Sequence, residues 1–260
     1  MNDLISVYCI SNSPPELNGN IEFNRLQCIE HDSLYVSIQY VPESEFSVVN
    51  FQRNLSDIQW LESHVREHNA IIRLLMEQQP VIPFPFGTLF HTEKNLKCFM
   101  EGYSGSIDDN LRHIVEKEEW SVKMYCDYKV LEEKIDELSL EAADYETLIM
   151  ESSPGKAYLL RRKKDNLIDI EIDRLCRKYA EECYDAIKNQ SEANNLRNLI
   201  PKEFTGRQEL MILNASFLVN KNKAADFRNT LAMLIVKNQH AGFILESSEP
   251  SPPFSFISLK

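Results

Sequence analysis

In two runs between Leu131 and Ala186 apolar residues recur at steps of four and three, and this rhythm limits the chain's fold more than any other feature. Leu131, Ile135, Leu138, Ala142, Tyr145 and Ile149 form one stripe; Ile168, Ile172, Leu175, Tyr179, Cys183 and Ala186 form a second. That spacing gathers apolar side chains on one helical face, which then has to be covered by another helix. Ser153 suits an N-cap and Pro154 the first helical position, so the second helix starts there and the pair predicts an antiparallel hairpin over about 128–189. On either side lie patterns of period two. Trp120 to Cys126 alternates around Val122 and Met124, Leu210 to Val219 reads as a strand, Lys223 to Lys237 as a helix through Phe227, Leu231 and Leu234, and Ala241 to Glu246 as a last strand. Strand, helical insert, strand, helix, strand predicts a ferredoxin-like α+β domain with an enlarged first crossover.

The N-terminal half is α+β too, with a different order. Leu4 to Ile10, Ile21 to Ile29 and Ser33 to Val41 read as strands, with a hairpin at His31-Asp32. Ser56 and Gln59 form a capping box ahead of a helix over Asp57 to Gln78, whose packing stripe is Leu61, Val65, His68, Ile72 and Leu75. The segment VIPFPFGTLF, residues 81–90, has Pro83 and Pro85, which lack backbone donors, so it fits only an edge or irregular strand. Thr92 caps a further helix carrying Leu96 and Phe99, interrupted or weakened near Gly102-Tyr103-Ser104-Gly105 and resuming through Ile107, Leu111 and Ile114. The expected organisation is therefore α+β with two domains. An N-terminal α+β domain covers 1–118, and a C-terminal ferredoxin-like domain covers 119–260, with the helical-hairpin insert and a proline-rich tail.

Composition removes several functions. Seven glycines occur in 260 residues, and neither G-x-G-x-x-G nor G-x-x-x-x-G-K-[ST] is present, which argues against the usual phosphate-cradling loops. A net charge of -12 repels a polyphosphate backbone, so nucleic acid is not an expected partner. The basic run Arg161-Arg162-Lys163-Lys164 points around the whole circumference of its helix and reads as a solvated face. Cys9, Cys28, Cys98, Cys126, Cys176 and Cys183 are scattered without a C-x-x-C pair, as reduced thiols in a cytoplasmic protein would be. The N-terminus lacks a signal-peptide pattern and no apolar run approaches membrane-spanning length, so no lipid membrane is expected.

One motif points to catalysis. His64-Val65-Arg66-Glu67-His68 matches H-x-x-E-H, the pattern of inverted zinc peptidases, and would place two imidazoles one turn apart for a metal. However, the stripe places His68 on the apolar face and His64 beside it near Trp60, where burial as core imidazoles is the simpler outcome. No third ligand stands out. There is no G-x-S-x-G elbow, and adjacent carboxylates such as Asp108-Asp109 face different directions. Neither a catalytic residue nor a cofactor is assigned. A zinc-dependent hydrolase built on this helix and a generic cytosolic scaffold stand as the alternative readings.

Several stretches together resemble the gas vesicle protein family GvpF/GvpL: WLESHVREHNAIIRLLMEQQPVIPFPFGTLF (60–90), EEWSVKMYCD (118–127), SPGKAYLLRRK (153–163), LNASFLV (213–219) and the SPPFSF tail. The second and third look more similar to the GvpL branch. Two departures appear: Pro85 stands where relatives mostly carry another residue before F-G-T, and the tail reads PSPPF where they often show G-P-W-P-P-[YF]. The resemblance implies a non-enzymatic accessory protein of gas-vesicle assembly, without cofactor. It would act at the gas vesicle in the cytoplasm and engage the shell protein GvpA and other accessory Gvp proteins. On this reading Phe84, Phe86 and Phe90 of the bent edge, with Phe254 and Phe256 of the tail, are the candidate partner-binding residues, and a chaperone-like role during nucleation is expected.

Overall fold

The computed structural model describes residues 3–17 and 24–260 and divides into two compact units, residues 1–119 with 251–260 and residues 120–250. The proline-rich tail thus groups with the first unit instead of ending the second. Burial decides this: Ile257 and Leu259 pack against the first unit's core, and Asn110 Nδ2 donates to the Ser258 carbonyl at 2.9 Å.

In the first unit, β1 (Asp3–Ser11), β2 (Gln27–His31) and β3 (Leu34–Pro42) form a sheet in the order β2-β3-β1. The predicted strand start at Ile21 lies outside the described residues. Asp32 and Ser33 adopt φ of 48° and 64°, the left-handed pair that joins β2 to β3 in a tight hairpin. After β3 come two short helices, α1 (Glu43–Phe46) and α2 (Val48–Asn54), and the long α3 (Ile58–Gln78). The cap of α3 is Asp57, one residue later than the expected Ser56; its carboxylate accepts from Gln59 N and Trp60 N. Beyond β4 (Ile82–Pro83) and β5 (Leu89–Phe90), α4 (Glu93–Ile114) runs without interruption through Gly102 and Gly105. Both glycines are exposed, and the buried stripe Leu96, Met100, Ile107, Leu111 and Ile114 holds the helix across them.

A bulge between Val7 and Cys9 gives β1 its two faces. Ile5, Val7 and Ile10 point to α4, whereas Tyr8 and Cys9 pack with Ile71, Ile72 and Leu75 of α3. The extra residue keeps Ile10 on the α4 side with Ile5 and Val7, and because β1 is apolar almost throughout, both of its faces are buried, one against each helix.

The second sheet is formed by β6 (Lys117–Cys126), β7 (Ala193–Leu196), β8 (Leu210–Asn220) and β9 (Phe243–Ser247), in the order β7-β8-β6-β9. The stripe expected to be one helix from Leu131 onward is three: α5 (Tyr128–Glu133), α6 (Ile135–Leu138) and α7 (Leu140–Met150). Ser139 causes the second break. Its backbone is extended, its hydroxyl caps Ala142 N, and it also donates to the buried Glu171 carboxylate. α8 (Pro154–Lys188) follows as one 35-residue helix and packs along α7. After it come α9 (Lys202–Thr205) and α10 (Ala224–Gln239). Alternate residues Val122, Met124 and Cys126 of β6, and Leu213, Ala215 and Phe217 of β8, meet α8 and α10 in one core.

Candidate docking surfaces

The segment 81–90 follows β1 as an edge broken in the middle. Cys9 and Ile10 pair with Pro83 and Ile82, Ile5 and Ser6 with Phe90 and Leu89, and between these pairs Phe84 N donates to Tyr8 O and Val7 N to Thr88 O. The chain bows outward at Pro85, which has no donor, and returns through Gly87 at φ +86°. The segment is therefore an irregular edge, as its prolines dictate.

The five candidate phenylalanines separate into three environments. Phe84 is buried in the core, edge-on to Phe99 at 5.9 Å, and Phe90 also meets Phe99 edge-on at 5.5 Å. Phe86 sits in an aromatic cluster with Phe46, Phe51, Trp60 and His64, at centroid distances of 5.8 to 6.4 Å. Phe254 is exposed and Phe256 half-buried, on a tail anchored where Ser255 N and Oγ donate to the Glu119 carboxylate at 2.8 and 2.5 Å.

The histidine pair faces inward. His68 is buried and stacked on Tyr8 at 4.7 Å, and its Nε2 lies 2.8 Å from the Phe84 carbonyl, which can only accept, so Nε2 carries a proton. Burial lowers the His68 pKa and keeps the ring neutral. His64 stacks on Trp60 at 4.1 Å and donates from Nδ1 to the Trp60 carbonyl at 2.7 Å. The two rings thus brace α3 against the bowed segment and the aromatic cluster. Among the described residues no three His, Cys, Asp or Glu side chains are grouped to hold a metal.

Beside these rings a cleft of about 480 Å³ opens between the sheet and α3, with Tyr8, Gln39, Glu45, Glu67 and Phe86 on its walls. The Tyr8 hydroxyl donates to Gln39 Oε1 at 2.6 Å, and burial, with the nearby Glu67 charge adding to it, pushes this phenol up to about 12.

In the second unit a groove of about 570 Å³ runs between α8 and the chain entering β8. Ala180 and Tyr184 form one wall; Leu196, Leu199, Ile200 and Leu213 form the other. Sequence patterning missed it because Leu196, Leu199 and Ile200, although at helical i, i+3, i+4 spacing, form a run cut off at Pro201 and too short to read as an element. Their only signal is an apolar cluster ending at Pro201. The basic run also reads differently in three dimensions. Arg161, Arg162 and Lys163 are exposed, but Lys164 is buried and bonds Asp136 and Glu146 at 2.8 and 2.7 Å.

Mixed helix and sheet in this arrangement defines a fold found in gas vesicle proteins. The crystal structure of GvpF from Anabaena sp. PCC7120 superposes with a TM-score of 0.69 at 14% identity, covering 99% of this chain and 97% of that one. GvpF from Microcystis aeruginosa superposes with the same score at 13% identity over the full length of both chains. In sequence, gas vesicle protein L of Streptomyces sp. (strain CB03234) is 22% identical over 235 residues, 89% of this chain and 82% of that protein. The model of the gas vesicle synthesis protein GvpL/GvpF family matches residues 5–258, and the chain belongs to that family. Membership gives it a role in gas vesicle assembly.

Proposed function

We propose that the protein is a non-enzymatic accessory factor that binds the vesicle shell protein GvpA and other accessory Gvp proteins, holding the shell subunit soluble until it assembles. The family match over 5–258 is the observation that carries this reading. A shell subunit has to be apolar on its gas-facing side, and before assembly that surface drives aggregation unless a partner covers it. Such a task needs exposed apolar surface on an acidic, soluble body and no chemistry. The protein works in the cytoplasm at the gas vesicle and uses no lipid membrane. Among the described residues no helix is long and apolar enough to cross one.

The bent edge and the tail are the proposed contact points. Phe254 offers an exposed ring and Phe256 a half-buried one, while Phe86 and Phe90 are half-buried along the edge. Phe84, buried beneath, holds the edge in shape. In the second unit, the chain order β6, helices, β7, β8, α10, β9 with the spatial order β7-β8-β6-β9 supports a ferredoxin-like domain whose first crossover is the helical hairpin. Co-expression with the shell protein tests the functional reading. The soluble fraction of shell protein should rise and a complex should co-elute, less of it with Phe254→Asp. If the soluble fraction is unchanged and no complex elutes, the proposal fails.

A further inference from the structure

Two cysteine thiols meet in the core of the second unit, and contacts that involve neither sulfur bring them together. Cys126 is the last residue of β6 and pairs across the ladder with Phe243 of β9. The Tyr179 ring of α8 stacks on that Phe243 at 4.3 Å. Cys176 lies one helical turn before Tyr179 on the same face, so it comes down beside Cys126. Just past Cys126, the Tyr128 hydroxyl donates to Asp169, two turns before Cys176 on the same helix. The thiols themselves are hydrogen-bonded, Cys126 donating to Cys176.

They differ in access. Cys126 is 1% exposed, whereas Cys176, at 7%, is part of the wall of the 570 Å³ groove. Cys183, two turns further along α8, faces α10 instead, where its sulfur accepts from Asn238 Nδ2 at 3.2 Å.

We infer that Cys176 and Cys126 form a paired oxidation site, at which a hydroperoxide entering the groove oxidises Cys176 and Cys126 resolves the product to a disulfide. Cys176 is the attacking sulfur because it reaches the groove and because its neighbour stabilises its thiolate. The bond from Cys126 lowers the Cys176 pKa, outweighing burial and the Asp173 charge, and the same bond raises that of Cys126. The Lys202 ammonium adds positive charge near the pair.

In the first step the Cys176 thiolate attacks the outer oxygen of the hydroperoxide. An S–O bond forms, the O–O bond breaks, and the departing alkoxide takes up the proton that Cys176 released and leaves as the alcohol. In the second, the Cys126 sulfur attacks the sulfenic sulfur. The S–S bond forms, the S–O bond breaks, and hydroxide leaves with the Cys126 proton as water. Two thiols are thus oxidised to one disulfide while the hydroperoxide is reduced to alcohol and water. Closing the bond draws the sulfurs to about 2 Å and ties the end of β6 to the middle of α8, with α5, α6 and α7 inside the closed loop. Such a crosslink restricts the unfolded chain, so the oxidised protein should unfold at a higher urea concentration.

The test exposes the reduced full chain to hydrogen peroxide, then unfolds it in an alkylating reagent and maps its peptides by mass spectrometry. The Cys126 and Cys176 peptides should appear joined, lighter by two hydrogen atoms, and separate again with dithiothreitol. Free Cys126 and Cys176 should disappear together while Cys183 stays reduced. In Cys126→Ser, dimedone should trap a sulfenic acid on Cys176. The wild-type map decides the matter even if that variant folds poorly. The proposal is overturned if Cys126 and Cys176 are still free once the exposed Cys28 and Cys98 have oxidised. It is also overturned if Cys183 oxidises as fast as Cys176, which would trace the reaction to unfolding, or if Cys176 stops at the sulfenic acid with Cys126 intact.

Discussion

Gly87→Ala should destabilise the first unit by about 2–4 kcal/mol, a figure that combines two separate costs. The first is conformational: Gly87 has φ +86°, and an L-residue held in left-handed backbone costs about 1–2 kcal/mol. The second is steric. A Cβ built at Gly87 falls 2.6 Å from Phe51 Cζ and 3.0 Å from Cε1, too close for any relaxed contact. Phe51 is half-buried and can tilt outward, but its ring packs against Phe46, Phe86 and Trp60 at 5.9, 5.8 and 6.1 Å, so the neighbours move with it. Overpacking costs about 1–3 kcal/mol, and the partial freedom of Phe51 puts this case at the low end. Urea unfolding followed by far-UV circular dichroism measures the sum. Trp60 emission reports the local change, because that indole is stacked on His64 within the same cluster. Adding Phe51→Leu to Gly87→Ala should relieve the steric cost and leave the backbone cost. If Gly87→Ala unfolds within about 0.5 kcal/mol of wild type, the ordinary level for a featureless surface change, the reasoning is refuted.

Three further outcomes follow from buried polar groups and thiols. Glu171→Gln should cost about 1–3 kcal/mol at neutral pH, since the carboxylate is buried and accepts from Arg174 and Ser139. The Arg174 guanidinium, with the Ser139 hydroxyl, holds the Glu171 pKa below the usual carboxylate range. Its contribution is therefore present above the unfolded value and lost as pH falls through the folded one, so the variant should show a shallower acid limb in a stability–pH profile. His68 behaves in the same sense for a different reason. Its folded pKa is lowered by burial, so as pH drops below about 6.5 the unfolded chain takes up a proton that the folded chain refuses, and stability declines; His68→Gln should remove that step, which chemical denaturation at pH 7 and pH 5.5 would reveal. Native thiol labelling should modify only the exposed Cys28 and Cys98 at early times, leaving Cys9, Cys126, Cys176 and Cys183 to react on unfolding. Burial pushes Cys9 up to about 12 and Cys183 up to about 11, which adds to their protection, and mass spectrometry of peptides identifies the order. Early labelling of Cys9 or Cys183 would contradict the packing described.

The sequence alone determined the elements whose pattern is local. Alternation and helical period located β1, β3, β6, β8, α3, α8 and α10, because each buries one continuous face and its own residues record which face that is. Family membership was also legible there, in stretches spread from Trp60 to the tail. Decisions between distant residues were left to the tertiary structure. Ser139 breaks the helical stripe because Glu171, on another helix, holds its hydroxyl. Lys164 leaves its basic run for the core because Asp136 and Glu146 converge on it from two other segments. The tail joins the first unit because Asn110 and Glu119 bind its backbone and Ser255. The candidate phenylalanines illustrate the same limit. Sequence counts Phe84, Phe86 and Phe254 as equal apolar rings, and only folding makes the first a core residue, the second part of an aromatic cluster, and the third an exposed surface. Periodicity records how a segment faces the core, but which side chains meet across the core depends on free energies shared between segments, and no single segment encodes them.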